Sequence, residues 1–259
     1  MLDDKTVLVI GVGAGLGKEI ARVAVRDGAN VFLAARNAEN LLTAATELDA
    51  TGEHVGFQAT DMGDADQLAA LMTAVDDRFG GLDGLAICAS YDSGMGGIEA
   101  TTDKQWRATF EVNVFGTAAA VRAAYPLLKR QGGSVVFVGS QQWIYPARDV
   151  HQLAYGASKG AGVSMMYALA PELGAHRIRV NTVVPSWMWG PNVAMYVAWQ
   201  AGVQGRPEEE IRAQLDAKFA LPEMPTDQDV AEAVGFFLSE RARSITGQTL
   251  LVNAGELAR

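Results

Sequence analysis

Short apolar runs alternate with longer segments of mixed polarity along the whole chain. Seven of these runs, rich in Val, Ile, Leu and Ala, are predicted to be β-strands. They cover residues 6–10, 30–35, 54–58, 84–88, 134–138, 179–184 and 249–252. Because most of them are apolar at nearly every position, they are typical of strands buried on both faces of a parallel sheet. The pattern predicts a single α/β domain over residues 1–259, with a doubly wound parallel sheet of seven strands.

The segments between the strands predict helices. Thr102 and Gln105 form a capping-box pattern, and the apolar residues after them recur at helical spacing, which predicts a long helix over residues 103–129. A second helix is predicted over residues 155–174. Residues 186–225 interrupt the alternation and are rich in Trp, Met and Tyr. Insertions of this length often carry function, and we expect a substrate-binding loop region there.

Composition and charge argue against several classes of partner. The formal net charge is −9 and the pI is near 4.9, which disfavours nucleic-acid binding because phosphate neutralisation needs clustered Lys and Arg. His54, His151 and His176 lie far apart without metal-ligand spacing, so no metal site is expected. The N-terminus has no basic segment before an apolar run, and no apolar run reaches the roughly 18 residues of a membrane span. We therefore expect a cytoplasmic protein with neither a nucleic-acid nor a membrane partner.

A glycine-rich stretch, Gly-Val-Gly-Ala-Gly-Leu-Gly over residues 11–17, follows the first predicted strand and opens a helix. Small residues there let the backbone approach a pyrophosphate, and the helix N-terminus offers unpaired amides to the anion. A tight turn without a ligand is the alternative, and the position after the first strand argues against it. We expect Gly11, Gly15, Leu16 and Gly17 to bind a dinucleotide.

The end of the second strand distinguishes one dinucleotide from another. In dinucleotide folds an acidic residue there binds the ribose 2′-hydroxyl of NAD, whereas an Arg pairs with the 2′-phosphate of NADP. Arg36 occupies this place without an acid, so NADP(H) is favoured. A solvated surface Arg is the alternative, and NAD(H) therefore stays open. Asp61 ends the third strand, with Met62 beside it, and is a candidate contact of the adenine amino group.

Tyr155 and Lys159 are four residues apart in the second predicted helix, which places them on one face. An unperturbed phenol has a pKa near 10, too high for ready proton exchange at neutral pH. A nearby ammonium stabilises the phenolate, so Lys159 would make Tyr155 a usable acid or base. Taken alone, such a pair is common by chance on any helix.

The order of these motifs resembles the short-chain dehydrogenase/reductase family, and the resemblance covers residues 5–255. The family's glycine pattern, T-G-x-x-x-G-x-G, matches at positions 11, 15 and 17, with Ile10 in place of the Thr. The family's catalytic tetrad matches four residues in the same order: Asn113, Ser140, Tyr155 and Lys159. The resemblance implies a Rossmann-type fold and hydride transfer between a nicotinamide and a carbonyl or alcohol.

The resemblance also implies a role for each tetrad residue. Ser140 would polarise the carbonyl, while Tyr155 would exchange the proton. Lys159 would favour the phenolate and hold the nicotinamide ribose, and Asn113 would position a water in a proton relay. The resemblance adds three further cofactor contacts: Ala89, Pro185 and Met188.

Aromatic and polar residues after Ser140 and Pro185 resemble the part of the family that binds substrate. The expected substrate-pocket residues are Gln142, Trp143, Trp187, Trp189 and Tyr196. An aromatic stripe of this kind is usually core or subunit interface, and that alternative stays open. Its position over the active site favours a bulky apolar or aromatic substrate.

The expected function is an NADP(H)-dependent oxidoreductase that interconverts a ketone and a secondary alcohol. One alternative is a 3-oxoacyl-thioester reductase of the same family. Another is a non-catalytic NADP-sensing regulator, against which the intact tetrad argues. Small residues at positions 156–162 permit close helix packing, and the resemblance favours a homo-oligomer, either a dimer or a tetramer.

Overall fold

Seven strands form a single parallel sheet in a computed structural model that describes residues 1–92, 96–148 and 150–258. Their order across the sheet is β3-β2-β1-β4-β5-β6-β7. The strands are β1 Thr6–Ile10, β2 Asn30–Ala35, β3 Val55–Ala59, β4 Gly84–Ile87, β5 Gly133–Val138, β6 Ile178–Pro185 and β7 Thr249–Val252. The predicted α/β architecture is confirmed, and the predicted strand ends agree with the observed ones to within one residue.

Helices connect the strands and cover both faces of the sheet. They are α1 Leu16–Arg26, α2 Ala38–Leu48, α3 Ala65–Phe79, α4 Asp103–Phe110, α5 Thr117–Leu128, α6 Leu153–Gly174, α7 Pro191–Gln204, α8 Glu208–Asp216 and α9 Asp227–Leu238. Among the helices in the described ranges, none has both the length and the apolar composition of a membrane span.

The sheet is buried because its strands present apolar side chains to two separate cores. In β1, Val7 and Val9 pack with α1, α2 and α9 on one face, while Leu8 and Ile10 pack with α3, α5 and α6 on the other. This division follows from the period-2 geometry of a strand, which sends successive side chains to opposite faces. Nearly every strand position is therefore apolar, as the sequence pattern requires of a sheet covered on both sides.

The predicted helix over residues 103–129 is divided by a π-helical turn, Glu111–Gly116, between α4 and α5. Its start agrees with prediction, since the side chain and backbone of Thr102 form a capping box with Gln105. The turn is centred on Asn113, and π-turns of this kind often occur at functional sites. The apolar spacing continues across the turn, so the periodic pattern did not reveal it.

The region over residues 186–225 contains two helices, α7 and α8, where the sequence analysis predicted a loop. The pair has a small apolar cluster of its own, separate from the two cores of the sheet. Its buried members are Val197, Ala201, Ile211, Leu215 and Met224. The cluster holds α7 against α8, and the backbone of Trp189 donates to the carbonyl of Pro225 at 2.6 Å, which ties the pair to the start of α9.

Candidate active site

A cavity of about 880 Å³ opens at the carboxyl ends of the parallel strands. This is the edge at which open α/β sheets bind ligands, next to the change in strand order between β1 and β4. One end of the cavity, the glycine end, is bordered by residues 11–17. The other end, the α7 end, is bordered by Trp187, Tyr196 and Glu256. Most residues predicted for the site line it: Gly11, Gly15, Leu16, Gly17, Arg36, Asp61, Met62, Ala89, Ser140, Gln142, Tyr155, Lys159, Pro185, Trp187, Met188 and Tyr196.

Glycine is required at two positions of the 11–17 turn for steric reasons. Gly11 has a φ of 102°, and a Cβ there would overlap the backbone of Ala89. A Cβ on Gly17 would overlap the carbonyl of Gly11. Gly15 precedes α1 and gives the helix no side-chain cap, so the first amides of α1 face the cavity without a side-chain acceptor. The turn is therefore a cradle for an anion at a helix N-terminus.

Arg36 follows β2 at the rim of the glycine end and is exposed. Within the described residues its guanidinium forms neither a hydrogen bond nor an ion pair. The next residue, Asn37, is occupied as the cap of α2, where its side chain accepts from the amide of Asn40 at 3.0 Å. The Asp61 carboxylate accepts from the amide of Gly63 at 2.9 Å, which fixes the loop after β3. Arg36 is thus the cation available to an anionic group at this rim.

Tyr155, Lys159 and Ser140 line the same cavity. The Lys159 ammonium lies 5.4 Å from the centre of the Tyr155 ring. It is buried and donates to the carbonyl of Val138, at the end of β5, at 2.9 Å. Ser140 lies two residues after the end of β5, and its hydroxyl accepts from the amide of Gln142 at 3.3 Å. The helix α6 thus brings the phenol and the ammonium to the strand end that carries Ser140.

Asn113 lies behind this group and does not line the main cavity. Its side-chain oxygen accepts from the amide of Tyr91 at 2.7 Å, and its nitrogen donates to the carbonyl of Tyr91 and to the hydroxyl of Ser158. Asn113 and Lys159 both border a second, smaller cavity of about 20 Å³, a volume sufficient for one water molecule. The π-turn around Asn113 therefore places this residue and Lys159 on the wall of one cavity that is large enough for a single water molecule.

Two of the predicted pocket residues lie elsewhere. Trp143 packs against the core beneath α6, and its indole nitrogen is buried without a hydrogen-bond partner. Trp189 faces away from the cavity, into the α7–α8 cluster, with the guanidinium of Arg212 stacked 4.1 Å from its ring centre. The structure thus places neither indole on the wall of this cavity, because the sequence shows where aromatic residues cluster but not which way each one points.

Asp227, the first residue of α9, is a cavity residue that the sequence analysis missed. Its carboxylate lies beneath the glycine turn, where a Cβ on Gly15 would come within 2.9 Å of it and a Cβ on Gly190 would overlap it. Burial raises the pKa of Asp227 to about 6, and the nearby charge of Glu19 adds to the effect. Residues 15 and 227 are far apart in the chain, so local patterns carried no signal of this contact.

Glu256, near the C-terminus, also lines the cavity and was also missed. One of its carboxylate oxygens accepts from the side-chain amide of Gln141 at 2.9 Å and from the hydroxyl of Ser186. Gln141 and Ser186 directly follow Ser140 and Pro185, two residues that the sequence analysis did assign to the site. The chain therefore returns to its own active-site edge after β7.

Comparisons with known proteins agree with this geometry. The family model described as short chain dehydrogenase matches residues 5–201. A curated relative, 2-(S)-hydroxypropyl-CoM dehydrogenase 3 of Xanthobacter autotrophicus, is 31% identical, with 99% of this chain and 98% of the relative covered. A solved short-chain dehydrogenase/reductase from Mycobacterium ulcerans is 32% identical, with a TM-score of 0.88, and the match covers 98% of this chain and 90% of that one.

A crystal structure of an actinorhodin polyketide ketoreductase variant with NADPH is similar as well. It is 29% identical, with a TM-score of 0.88, and the match covers 99% of each chain. The family model spans well over half of the sequence, and the relatives are matched along nearly their whole length. This chain therefore belongs to the short-chain dehydrogenase/reductase family, a family of oxidoreductases that act on alcohols and ketones.

Proposed function

We propose that this protein is an NADP(H)-dependent oxidoreductase that interconverts a ketone and a secondary alcohol, with a bulky apolar or aromatic carbonyl compound as substrate. The observation that carries the proposal is the meeting of Ser140, Tyr155 and Lys159 in one cavity whose glycine end is a cradle for an anion. A phenol, a hydroxyl and a buried ammonium together supply a proton and hydrogen bonds to a developing alkoxide.

The glycine end fits a dinucleotide. Gly11 and Gly17 leave no side chain between the backbone and a pyrophosphate, and the start of α1 has no side-chain cap of its own. Leu16, Met62 and Ala89 supply apolar surface at the same end. Tyr155, Lys159, Pro185 and Met188 would contact the nicotinamide half, which supplies or accepts a hydride at the substrate carbon when it is bound. Asp61 would hold the adenine amino group.

The preference for NADP(H) rests on Arg36. Its guanidinium has no partner within the described residues and stands at the strand end where dinucleotide folds recognise the adenosine ribose. A charge-assisted hydrogen bond to a 2′-phosphate would supply that partner. The similarity to a ketoreductase solved with NADPH supports the same choice.

The chemistry of the protein's own residues follows from their positions. In the reductive direction Ser140 donates to the carbonyl oxygen and Tyr155 transfers its phenolic proton to that oxygen. Lys159 stabilises the phenolate that forms, because its ammonium is held near the ring and is anchored on Val138. Asn113 is a positioning residue that keeps the loop at Tyr91 and the hydroxyl of Ser158 in place. The proton lost by Tyr155 returns from solvent past Lys159.

Aromatic side chains at the α7 end support a bulky substrate. The rings of Trp187 and Tyr196 lie with centres 5.0 Å apart, and both line the cavity together with Tyr145. Aromatic walls of this kind bind flat apolar groups through surface burial and ring contacts. Gln142 adds an amide at the same wall.

The test is a panel of ketones of increasing bulk, supplied with NADPH or NADH and followed by nicotinamide absorbance. We expect oxidation of NADPH with the aromatic members, and slower oxidation of NADH. Equal or faster use of NADH would contradict the role of Arg36. The absence of cofactor oxidation with every ketone, together with binding of NADPH, would contradict the proposed reaction and would favour a non-catalytic nucleotide-binding role.

A further inference from the structure

The C-terminal segment, residues 253–257, places Glu256 at the α7 end of the cavity. Its shape is fixed by Asn253, which is buried and accepts from the amide of Gly255 at 3.1 Å while donating to the carbonyl of Leu257 at 3.0 Å. The same side-chain nitrogen donates to Gln141, another buried residue, at 2.6 Å. Buried polar groups with all these partners hold a rigid geometry, so the fold sets the position of Glu256 within this segment.

The Glu256 carboxylate connects two segments that border the α7 end, one after β5 and one after β6. One of its oxygens accepts from Gln141 in the segment after β5 and from Ser186 in the segment after β6. The other carboxylate oxygen has no partner within the described residues. Both of these donors are neutral, so among the described residues the carboxylate has hydrogen bonds but no ion pair. A fixed negative charge therefore lines the cavity where the substrate is expected.

The other charged residues that line the cavity do not offset the negative charge of Glu256. Among the residues that line the cavity, the cations are Arg36, at the glycine end, and Lys159, which is anchored on the carbonyl of Val138. A second acid, Asp92, also lines the cavity and accepts from Gln152. The α7 end thus holds the Glu256 carboxylate and, among the described lining residues, no cation of its own.

The cations of the α7–α8 pair lie outside the lining. Arg212 stacks on Trp189 and pairs with Asp216 at 3.6 Å. The ammonium of Lys218 lies 5.6 Å from the ring centre of Trp187, and Lys218 itself does not line the cavity. Neither cation is therefore positioned as a receptor for an anionic group inside the cavity.

We propose that Glu256 determines substrate charge: it excludes carbonyl compounds that carry a carboxylate, sulfonate or phosphate, and favours neutral or amine-bearing ones. The inference rests on the proposed function and narrows its substrate class. Like charges about 12 Å apart at an effective dielectric constant of roughly 20 repel strongly enough to change affinity by about 10-fold, and closer charges repel more strongly. Acyl thioesters whose carriers are anionic would therefore be poor substrates.

The test compares wild type with Glu256→Gln on three matched aromatic ketones: a neutral parent, its carboxylate derivative and its aminomethyl derivative. Gln keeps an oxygen that accepts from Gln141 and Ser186 but removes the charge. The readout is the ratio of kcat/KM for each charged ketone to that for the neutral one. We expect the carboxylate ratio to rise about 10-fold and the amine ratio to fall by a similar factor in the variant. Both shifts should shrink as salt is added.

A structural role for Glu256 predicts a different result. In that case Glu256→Gln would change kcat/KM for all three ketones by a common factor, and the two ratios would not move, which would overturn the proposal. Ser186→Ala is the matched control, because it removes a hydrogen bond to Glu256 but leaves the charge, and both ratios should stay near those of wild type. If Glu256→Gln fails to fold, Glu256→Ala serves in its place with the same readout.

Ligand binding separates this proposal from the proposed function. Quenching of tryptophan fluorescence by the three ketones, with Trp187 in the cavity wall, gives the ratios of dissociation constants without turnover. If wild type oxidises no cofactor but the binding ratios shift as expected, the proposed reaction fails and the charge selection stands. Binding ratios that are equal in wild type and Glu256→Gln would overturn the charge selection whatever the activity.

Discussion

The glycine end and the α7 end border one cavity, yet they are built in different ways. At the glycine end the backbone forms the surface, and Gly11 and Gly17 are required because any Cβ would overlap neighbouring backbone. At the α7 end side chains form the surface: Trp187 precedes α7, Tyr196 lies in α7, and Glu256 belongs to the C-terminal segment. The first arrangement tolerates little variation, whereas the second changes with each side chain. The cofactor would therefore be constrained by the fold, and the substrate by residues particular to this chain.

The largest expected effect lies between the two ends, at the residue that serves both. Tyr155→Phe keeps the ring beside Lys159 but removes the proton, so kcat/KM with NADPH and an aromatic ketone should fall about 10³-fold. The melting temperature should change little, because the hydroxyl lines the cavity and is not part of the core. Activity within 10-fold of wild type in a folded variant would refute the role of Tyr155.

The next largest effect is expected at the glycine end, where Arg36→Ala tests the preference for NADPH. Loss of a charge-assisted hydrogen bond to the 2′-phosphate should weaken NADPH binding roughly 10- to 100-fold and leave NADH binding nearly unchanged. Calorimetric titration of wild type and variant with both cofactors measures the difference. An equal loss for the two cofactors would mean that Arg36 acts on shared parts of the dinucleotide and not on the phosphate.

The steric claim about the glycine turn is tested by two matched substitutions. Gly17→Ala forces a Cβ against the carbonyl of Gly11 and should lower the free energy of unfolding by about 1–3 kcal/mol. Gly13→Ala is the control, because a Cβ there meets nothing within 4 Å. Denaturant unfolding of both variants measures the effect. Equal stability of the two would show that the turn adapts to side chains and is less constrained than its geometry indicates.

The smallest expected effect concerns Asp227 and pH. The folded-state pKa of about 6 lies above the ordinary value of 3.8, so the folded protein binds this proton more tightly than the unfolded chain does. The resulting stabilisation is present below about pH 4 and is lost as pH rises through 6. Asp227→Asn should therefore gain about 1–3 kcal/mol relative to wild type at pH 8, but little at pH 4. A difference between the two proteins that does not change with pH would contradict this account of the carboxyl group.

The sequence predicts the strands and much of the glycine end, and it predicts less of the α7 end. The strands are recognisable as apolar runs because both faces of the sheet are buried. The residues of the 11–17 turn are contiguous in the chain, so their pattern is visible in the sequence. Tyr155 and Lys159 are one helical turn apart, so their shared face follows from helix geometry. These features depend on near neighbours, which a sequence displays directly.

The α7 end was predicted less well because its contacts join distant parts of the chain. Trp143 and Trp189 were assigned to the pocket by their neighbourhood, yet both turn into apolar clusters. Glu256 reaches Gln141 across 115 positions, and Asp227 lies beneath a turn more than 200 positions earlier. Asn113, in the π-turn, accepts from the amide of Tyr91, which lies 22 positions earlier. Sidedness and long-range pairing are properties of the packed structure, and local periodicity does not contain them.

The central claim is that this cavity transfers a hydride between NADPH and a ketone with Tyr155 as the proton donor. The most direct measurement supplies NADPH doubly deuterated at nicotinamide C4 together with an aromatic ketone, and analyses the product by mass spectrometry. We predict one deuterium on the carbinol carbon with wild type, and about 10³-fold slower labelling with Tyr155→Phe. Binding of the cofactor without transfer of deuterium to any ketone in the panel would contradict the account.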